Sequence, residues 1–400
     1  MDLKVLMATR EYGNYIVGGA GIATTLLTKY LRLKNIDVHV LSFGKPYNSN
    51  EKDYYIYPKS SVLEESRKPT SISRDCLLLY DILRFTKKAK DLIKSMKFDI
   101  VHVQERYIGG LITFRNKVTT FHSTGYGEIN SLRKGESYNV QQIKRILFSI
   151  SLGYFMEYAS LSNSRLLITP SNVVKNELIY AYKIPADKIY VIHNGIELPK
   201  YSIKKEDARK KLGLPYDKII IFNASRHIQQ KRLDILIHGF YMLCRERPDL
   251  CKHVLLIIGG QGNLTEYLKS LCKRYNLTNV VFVGWIPHHK IYYYLSAADI
   301  YTLTSNYESA PLAILEACAH ELPIITTRVG DYALMMKDHE DALIIPPNDA
   351  VALKNALIEL ITDEKLRRKI ALNARKFAEK FSWEQVAEKH IKVYKRLLEE

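Results

Sequence analysis

Two glutamates in the stretch from Thr302 to Gly330 have the residue type and spacing to bind a polyol ligand. A strand predicted over residues 299–304 ends in a polar turn that holds Glu308. A helix predicted from about Pro311 then carries Glu316. Since a helix rises about 1.5 Å per residue, its start and Glu316 are roughly 7–8 Å apart, which is comparable to the length of a diphosphate. We therefore expect the two carboxylates to bind hydroxyls on either side of a diphosphate.

The residues between these glutamates predict an anion site. Backbone amides at a helix start lack intrahelical partners and favour negative charge, so Ser309, Ala310 and Leu312 would face the diphosphate. Pro311 has no N–H and suits the first helical position. A polyol, a diphosphate and a ribose in line describe a nucleotide sugar. The alternative is an amphipathic helix with two solvated glutamates.

Arg226 and Lys231 are the cations best placed to hold the same diphosphate. A strand predicted over residues 218–225 ends just before Arg226, and a helix predicted from Lys231 through Cys244 follows the next loop. A cation in the first turn of a helix is unfavourable unless an anion is bound. A planar guanidinium and a point charge together could clamp a diphosphate. The alternative is two exposed surface cations.

The motif of Glu308, seven residues, Glu316 and Ala317, followed by Pro323 and Val329-Gly330, resembles that of retaining glycosyltransferases of family 4. The resemblance implies an α/β fold of GT-B architecture. Two Rossmann-like parallel-sheet domains would face each other across a cleft, and a C-terminal helix would cross back to the first domain. The expected domains are residues 1–197 with about 384–400, binding the acceptor, and residues 198–383, binding the nucleotide sugar.

The resemblance also implies roles in the second domain. Arg226 and Lys231 would hold the donor phosphates, Glu308 the hydroxyls of the donor sugar, and Glu316 the ribose. Backbone groups at Trp285 and Ile286 would meet the nucleobase.

In the first domain, the resemblance places His122 near the donor sugar. This histidine ends a strand predicted over residues 117–123, and ligands of open α/β sheets bind beyond the carboxyl ends of strands. Gly18 and Gly19 would lie near the donor phosphate and sugar, where a Gly-Gly pair permits close approach of the backbone. The alternative for the glycines is a tight turn only.

Three departures from the family pattern leave the donor sugar open. Ser-Ala-Pro follows Glu308 where many relatives have a glycine-rich run. Arg232 stands in place of a frequent glycine, and Asp331 replaces the second glycine of a Val-Gly-Gly element.

Composition places the chain among globular proteins with two domains, because 400 residues exceed one ordinary core. Five cysteines without metal-like spacing favour a reduced cytoplasm over a disulfide framework. We expect neither a signal peptide nor a membrane span. The net charge of +17 is concentrated in residues 1–200, with 29 Lys+Arg against 18 Asp+Glu. This basic half allows peripheral contact with the cytoplasmic face of a membrane.

The function predicted from these features is a retaining, metal-independent glycosyltransferase that moves a hexose-type sugar. Its donor would be a UDP-, GDP- or ADP-linked sugar, and its acceptor a glycan, a lipid-linked glycan or a small molecule. No cofactor is expected, since no DxD-type acidic pair appears in a suitable loop. The alternatives are a nucleotide-sugar epimerase of the same architecture and a basic protein that binds nucleic acid or a membrane surface. No nucleic-acid recognition motif is present, so a nucleic-acid partner is not expected.

Overall fold

The computed structural model describes residues 3–13, 15–16, 18–45, 50–58, 72–133, 153–199 and 203–399, without the side chains of residues 72–78 and 131–133. The chain divides into two compact units. Unit 1 comprises Met1–Gly195 and Trp383–Glu400, and unit 2 comprises Ile196–Ser382. The sequence prediction placed this boundary two residues later, at residue 197. Most of the helix predicted over residues 139–161 lies outside the described residues.

Unit 1 is built on a parallel sheet of seven strands in the order β3-β2-β1-β4-β5-β6-β7. Its central strands are short apolar runs buried on both faces, as parallel sheets require. The strands are β1 (Lys4–Ala8), β2 (Asp37–Phe43), β3 (Asp53–Ile56), β4 (Ile100–Val103), β5 (Lys117–Thr120), β6 (Leu166–Thr169) and β7 (Ile189–Val191). The described helices of its first segment are α1 (Gly19–Leu33), α2 (Ile72–Ser95), α3 (Gly125–Arg133), α4 (Tyr154–Ser162) and α5 (Asn172–Tyr180).

Unit 2 contains a second parallel sheet, with six strands in the order β10-β9-β8-β11-β12-β13. The strands are β8 (Ile219–Ala224), β9 (Val254–Gly259), β10 (Val280–Gly284), β11 (Ile300–Leu303), β12 (Ile324–Thr327) and β13 (Leu343–Ile345). The helices are α6 (Lys205–Leu212), α7 (Leu233–Glu246), α8 (Pro248–Cys251), α9 (Thr265–Arg274), α10 (His288–Ala297), α11 (Leu312–Ala319), α12 (Asp331–Met335), α13 (Ala350–Thr362) and α14 (Glu364–Ala378).

The last helix, α15 (Trp383–Glu399), returns to unit 1. Trp383 and Tyr394 of this helix are among the largest side chains with almost no exposed surface. The strong amphipathic pattern of this helix explains its docking, because its apolar face must be covered.

Both sheets reverse their strand order at one point. In unit 1 the reversal lies between β1 and β4, and in unit 2 it lies between β8 and β11. Loops that leave the carboxyl ends of two such strands diverge and open a crevice, which is where open α/β sheets bind ligands.

Two sequence predictions are wrong in detail, and one strand was not predicted. The helix expected to begin at Lys231 begins at Leu233, because residues Gln229–Lys231 form a 3₁₀ turn and Arg232 has a left-handed backbone with φ 46°. Residues 53–56 form β3, an edge strand whose run DYYI is too polar and short to stand out. Cys244 and Cys251 form a disulfide, although no disulfide was expected.

No helix among the described residues is long and apolar enough to cross a membrane.

Candidate functional site

The two loops at the switch point of unit 2 are joined by hydrogen bonds. The Asn306 amide donates to the Gln230 carbonyl at 3.0 Å, and the Gln230 side-chain amide donates to the Tyr307 carbonyl at 2.8 Å. The Thr304 hydroxyl donates to the Lys231 carbonyl at 3.1 Å. These bonds fix the loop after β8 against the loop after β11, and so bring together residues that are more than 70 positions apart in sequence.

Lys231 and Glu308 form an ion pair at this junction. The Lys231 Nζ atom lies 2.5 Å from Glu308 Oε1, and the two side chains are only 14% and 8% exposed. The Ser305 hydroxyl donates to the same carboxylate oxygen at 2.6 Å. Lys231 lies in the 3₁₀ turn and not in the first turn of a helix, so the predicted repulsion from a helix start is absent. Its charge is balanced by Glu308.

Gly330 holds the main chain close behind Glu308. Its backbone has φ 78° and ψ 156°, a region essentially limited to glycine. A Cβ atom at this position would lie 2.8 Å from the Glu308 Cβ. The glycine of the Val-Gly element is therefore required by the packing of the candidate site. Asp331, which follows it, begins α12 and is buried.

Glu316, on α11, pairs with a histidine that the sequence analysis missed. The Nε2 atom of His288 lies 2.9 Å from Glu316 Oε1, and the Glu316 side chain is 12% exposed. Burial alone would lower the pKa of His288, but the hydrogen bond and the negative charges of Glu316 and Glu197 outweigh it, so that the pKa is raised. The only signal in the sequence was a His-His pair directly after Pro287 at a helix start.

Arg226 follows β8 and is exposed. Its loop is approached closely by the loop after β9. A Cβ on Gly260 would lie 1.9 Å from the Ser225 carbonyl oxygen, and one on Gly262 would lie 2.3 Å from that of His227. The two glycines thus allow backbone to touch backbone around Arg226.

The residues predicted at the nucleobase and at the helix start differ in burial. Trp285 is 56% exposed, whereas Ile286 packs against Gly259, where a Cβ would lie 2.6 Å from its Cδ1. At the start of α11, Pro311 is the residue before the first helical residue, Leu312. The predicted anion-binding residues include buried Ala310 and half-buried Ser309, whose carbonyl accepts from the Asp331 amide at 2.8 Å.

The glycine loop of unit 1 contains an acidic residue that the sequence analysis did not single out. Gly18 precedes α1, which begins at Gly19, and its amide donates to Glu11 Oε2 at 2.9 Å. Gly21 leaves room for that carboxylate, since a Cβ there would lie 2.8 Å from it. One amide of the loop predicted to meet the donor is therefore already bonded to a carboxylate.

His122 follows β5, one strand beyond the switch point of unit 1. Its Nε2 atom lies 3.1 Å from Gln104 Oε1, and Gln104 follows β4 at the switch point. Burial lowers the pKa of His122 to about 4, and nearby His390 acts in the same direction. His122 is consequently a neutral hydrogen-bonding group at pH 7.

The structure thus gathers Lys231, Glu308 and Ser309 at one junction of unit 2, with Glu316 along α11, and places His122, Gly18 and Gly19 at the strand ends of unit 1. The described residues contain no group of three or more His, Cys, Asp or Glu side chains that could hold a metal ion. The carboxylates and cation gathered in unit 2 suit binding of an anionic, hydroxyl-rich ligand.

Two Rossmann-like units with parallel sheets are the architecture of the GT-B fold. The model of the glycosyltransferase family 4 matches residues 17–200, and that of the glycosyl transferases group 1 matches residues 204–377. The chain belongs to glycosyltransferase family 4.

Known proteins of similar sequence and structure span the whole chain. The uncharacterized glycosyltransferase MJ1607 of Methanocaldococcus jannaschii is 25% identical over 99% of both chains. The solved structure of sucrose-phosphate synthase from Thermosynechococcus elongatus has a TM-score of 0.79 at 23% identity, covering 98% of this chain and 99% of that one. Anabaena HepE, solved in complex with UDP-glucose, has a TM-score of 0.71 at 17% identity, covering 98% and 100%.

Proposed function

We propose that this chain is a retaining, metal-independent glycosyltransferase that moves a hexose-type sugar from a nucleoside diphosphate to a glycan, a lipid-linked glycan or a small molecule. The observation that carries the proposal is the Lys231–Glu308 ion pair of 2.5 Å at the switch point of unit 2. A charge pair with little solvent exposure, at the point where such sheets bind ligands, is a candidate for function more than for stability.

The proposed roles follow from the charges. Arg226 and Lys231 stabilise the negative charge that develops on the departing diphosphate, in place of a metal ion. Glu308 accepts hydrogen bonds from the donor sugar, and Glu316, oriented by His288, accepts them from the ribose. The acceptor hydroxyl attacks the face that the diphosphate leaves, and the leaving phosphate takes its proton, which retains the anomeric configuration.

His122 contributes from unit 1 as a neutral hydrogen-bond partner of the donor sugar. Its low pKa keeps it uncharged throughout the physiological range. A neutral imidazole suits a sugar hydroxyl, since its unprotonated nitrogen can accept a hydrogen bond from that hydroxyl. The binding of UDP-glucose by HepE supports a uridine nucleotide as the first donor to try.

Ligand-induced stabilisation is the first experiment. UDP, GDP and ADP are each titrated while the melting temperature is followed, because a ligand that binds only the folded chain raises it. Lys231→Ala should abolish the rise, and Lys354→Ala, which breaks the Lys354–Glu246 pair elsewhere in unit 2, should keep it. Equal stabilisation of the wild type and Lys231→Ala would exclude the site.

Transfer is tested with the nucleotide sugar of the stabilising base. Anomeric configuration in the product is read by NMR, and an inverted product would refute retention. Loss of activity on treatment with EDTA, restored by a divalent ion, would refute metal independence. Conversion of the donor sugar without any acceptor would instead indicate an epimerase.

The proposed location is the cytoplasm, with peripheral contact between the basic first half and anionic lipid. Cosedimentation with vesicles of phosphatidylglycerol and phosphatidylcholine tests the contact. Binding should fall steeply with salt, because such contact is electrostatic. Equal binding to purely neutral vesicles would refute it.

A further inference from the structure

A chain of buried polar side chains runs from the last helix to His122. The Tyr394 hydroxyl on α15 lies 2.6 Å from His102 Nδ1, and Gln104 Nε2 lies 3.0 Å from His102 Nε2. Gln104 Oε1 in turn lies 3.1 Å from His122 Nε2. Tyr394, His102 and Gln104 are at most 3% exposed.

We propose that Gln104 and Tyr394 are positioning residues that act through His102 to hold His122 with its proton on Nε2 and with Nδ1 as a hydrogen-bond acceptor. The consequence for transfer rests on the proposed function of His122, but the protonation itself does not.

The direction of the bond to His122 follows from the chemistry of the amide. The Gln104 oxygen faces His122 and can only accept, so His122 Nε2 must donate. The Gln104 nitrogen lies 3.0 Å from His102 Nε2 and 3.4 Å from His102 Nδ1, so it rests against the His102 ring while the amide oxygen is turned to His122. The hydroxyls of Tyr394 and Thr120, 2.6 Å from Nδ1 and 2.7 Å from Nε2, hold that ring in place.

Burial keeps this order in place. His102 lies on β4 and bonds to Tyr394 of α15. It is uncharged, since its pKa is well below the ordinary value because of burial and because of His390 and His122 nearby. His390 is itself neutral, since burial lowers its pKa to about 4, and its Nδ1 donates to the Val386 carbonyl.

These bonds determine which nitrogen of the His122 ring carries the proton. The protonated Nε2 donates to Gln104, and the unprotonated Nδ1 has a lone pair and can only accept a hydrogen bond. His122 would therefore accept a hydrogen bond from a sugar hydroxyl and would reject a second acceptor, such as a carboxylate, at the same place. The last helix thus determines which nitrogen of His122 can meet the ligand.

The test is nitrogen NMR on the full chain labelled with ¹⁵N in the histidine rings. The His122 signals are assigned by their loss in His122→Gln. In the wild type, Nε2 should show the shift of a protonated nitrogen and Nδ1 that of an unprotonated one. Gln104→Met and Tyr394→Phe should each give averaged shifts, because both tautomers become populated. A wild-type ring protonated on Nδ1, or pure Nε2 protonation in both variants, would overturn the proposal.

Tyr190→Phe is the matched control. Its hydroxyl is buried and has no hydrogen-bond partner among the described residues, and its ring lies against Arg396 of α15. Removing that hydroxyl should leave the His122 shifts unchanged. A change equal to that in Tyr394→Phe would show that the shifts report on packing of α15, and would overturn the proposal.

Transfer separates this inference from the proposed function. With an active donor, Gln104→Met should lower kcat about five- to tenfold, as loss of one hydrogen bond implies, with little change in KM. Full activity of His122→Gln, with the NMR result as expected, would refute the role of His122 in transfer and leave its protonation standing.

Discussion

The candidate residues near the switch points of the two units differ in chemistry although the topology is the same. In unit 2, Lys231 beyond β8 and Glu308 beyond β11 form an ion pair. In unit 1, the candidate residue His122 beyond β5 is neutral and hydrogen-bonded to Gln104, although the ion pairs Arg10–Glu11 and Arg106–Glu128 also follow strands of that sheet. The fold therefore supplies the place where ligands bind, and the side chains decide what kind of ligand group is bound there.

The neighbours of each group explain the difference. Glu316 Oε1 lies 2.9 Å from His288 Nε2. This contact raises the pKa of His288, although burial alone would lower it. His122 has an amide as its partner, and burial lowers its pKa to about 4. An acidic partner preserves charge, whereas an amide partner permits burial to remove it.

The largest expected effect comes from removing the charge in unit 2. Lys231→Ala should lower kcat about 10²- to 10³-fold, the effect typical of losing one group that stabilises developing negative charge. Glu308→Ala should abolish transfer. Both variants should remain folded. Initial rates and circular dichroism provide the measurements.

Lys354→Ala is the control for that comparison. Its ion pair with Glu246 is also 2.5 Å long, and its side chain is 11% exposed, against 14% for Lys231. This pair lies between α13 and the end of α7. If Lys354→Ala lost as much activity as Lys231→Ala, the effect would belong to buried ion pairs in general and not to the switch point.

The second expected effect concerns the glycines of the two units. Gly330→Ala should cost about 1–3 kcal/mol of folding free energy, because its φ and ψ suit only glycine, and it should also displace Glu308. Gly18→Ala should cost little, since its φ is −152° and no atom lies within 4 Å of the added Cβ. Urea denaturation measures both. Equal destabilisation by the two substitutions would contradict the view that backbone conformation makes Gly330 the more demanding position.

Much of the fold was predictable because it depends on local patterns. The strands predicted over residues 117–123, 218–225 and 299–304 are β5, β8 and β11, and the fold class followed from the motif around Glu308 and Glu316. The start of α7 was not predictable, because hydrophobic periodicity does not reveal a 3₁₀ turn or the left-handed Arg232. The Cys244–Cys251 disulfide depends on the close approach of two helix ends, which spacing does not encode.

The candidate site was predictable where a residue had a recognised motif and not where it acts as a partner. Glu308 and Lys231 were named, but nothing in the sequence indicated that they contact each other. His288 and Gln104 were missed because each is chosen by a neighbour brought to it from a distant strand or helix. Such partners are visible only when tertiary structure is known.

The third expected effect is an opposite pH dependence of the two units. The pKa values of His122 and His390 are lowered from 6.5 to about 4, so their contribution to the stability of unit 1 is present above pH 6.5 and lost as the pH falls towards 4. The pKa of His288 is raised, so its contribution to unit 2 is present below pH 6.5 and lost as the pH rises through the folded value. Each of the two histidines of unit 1 should contribute on the order of 3 kcal/mol or less.

Tryptophan fluorescence can resolve this, because the chain has two tryptophans, Trp383 in unit 1 and Trp285 in unit 2. Trp285→Phe leaves a reporter of unit 1 alone. Urea midpoints measured with it between pH 4 and 8 should fall on acidification, and His122→Gln should flatten part of that slope. A midpoint that is independent of pH below 6.5 would refute the burial of neutral histidines.

The smallest expected effect separates backbone strain from side-chain contacts at Arg232. This residue occupies the left-handed region that favours glycine, while its guanidinium bonds to Asp234 at 2.9 Å and to Asn348. Arg232→Ala loses the contacts and keeps the strain, whereas Arg232→Gly loses both. The glycine variant should therefore be more stable than the alanine variant by about 1 kcal/mol, measured as the difference in urea midpoints. If the alanine and glycine variants were equally stable, the backbone strain at this position would be absent. If instead the order is as expected and Arg232→Gly also transfers as well as the wild type, the arginine serves the loop that carries Lys231 and does not contact the donor.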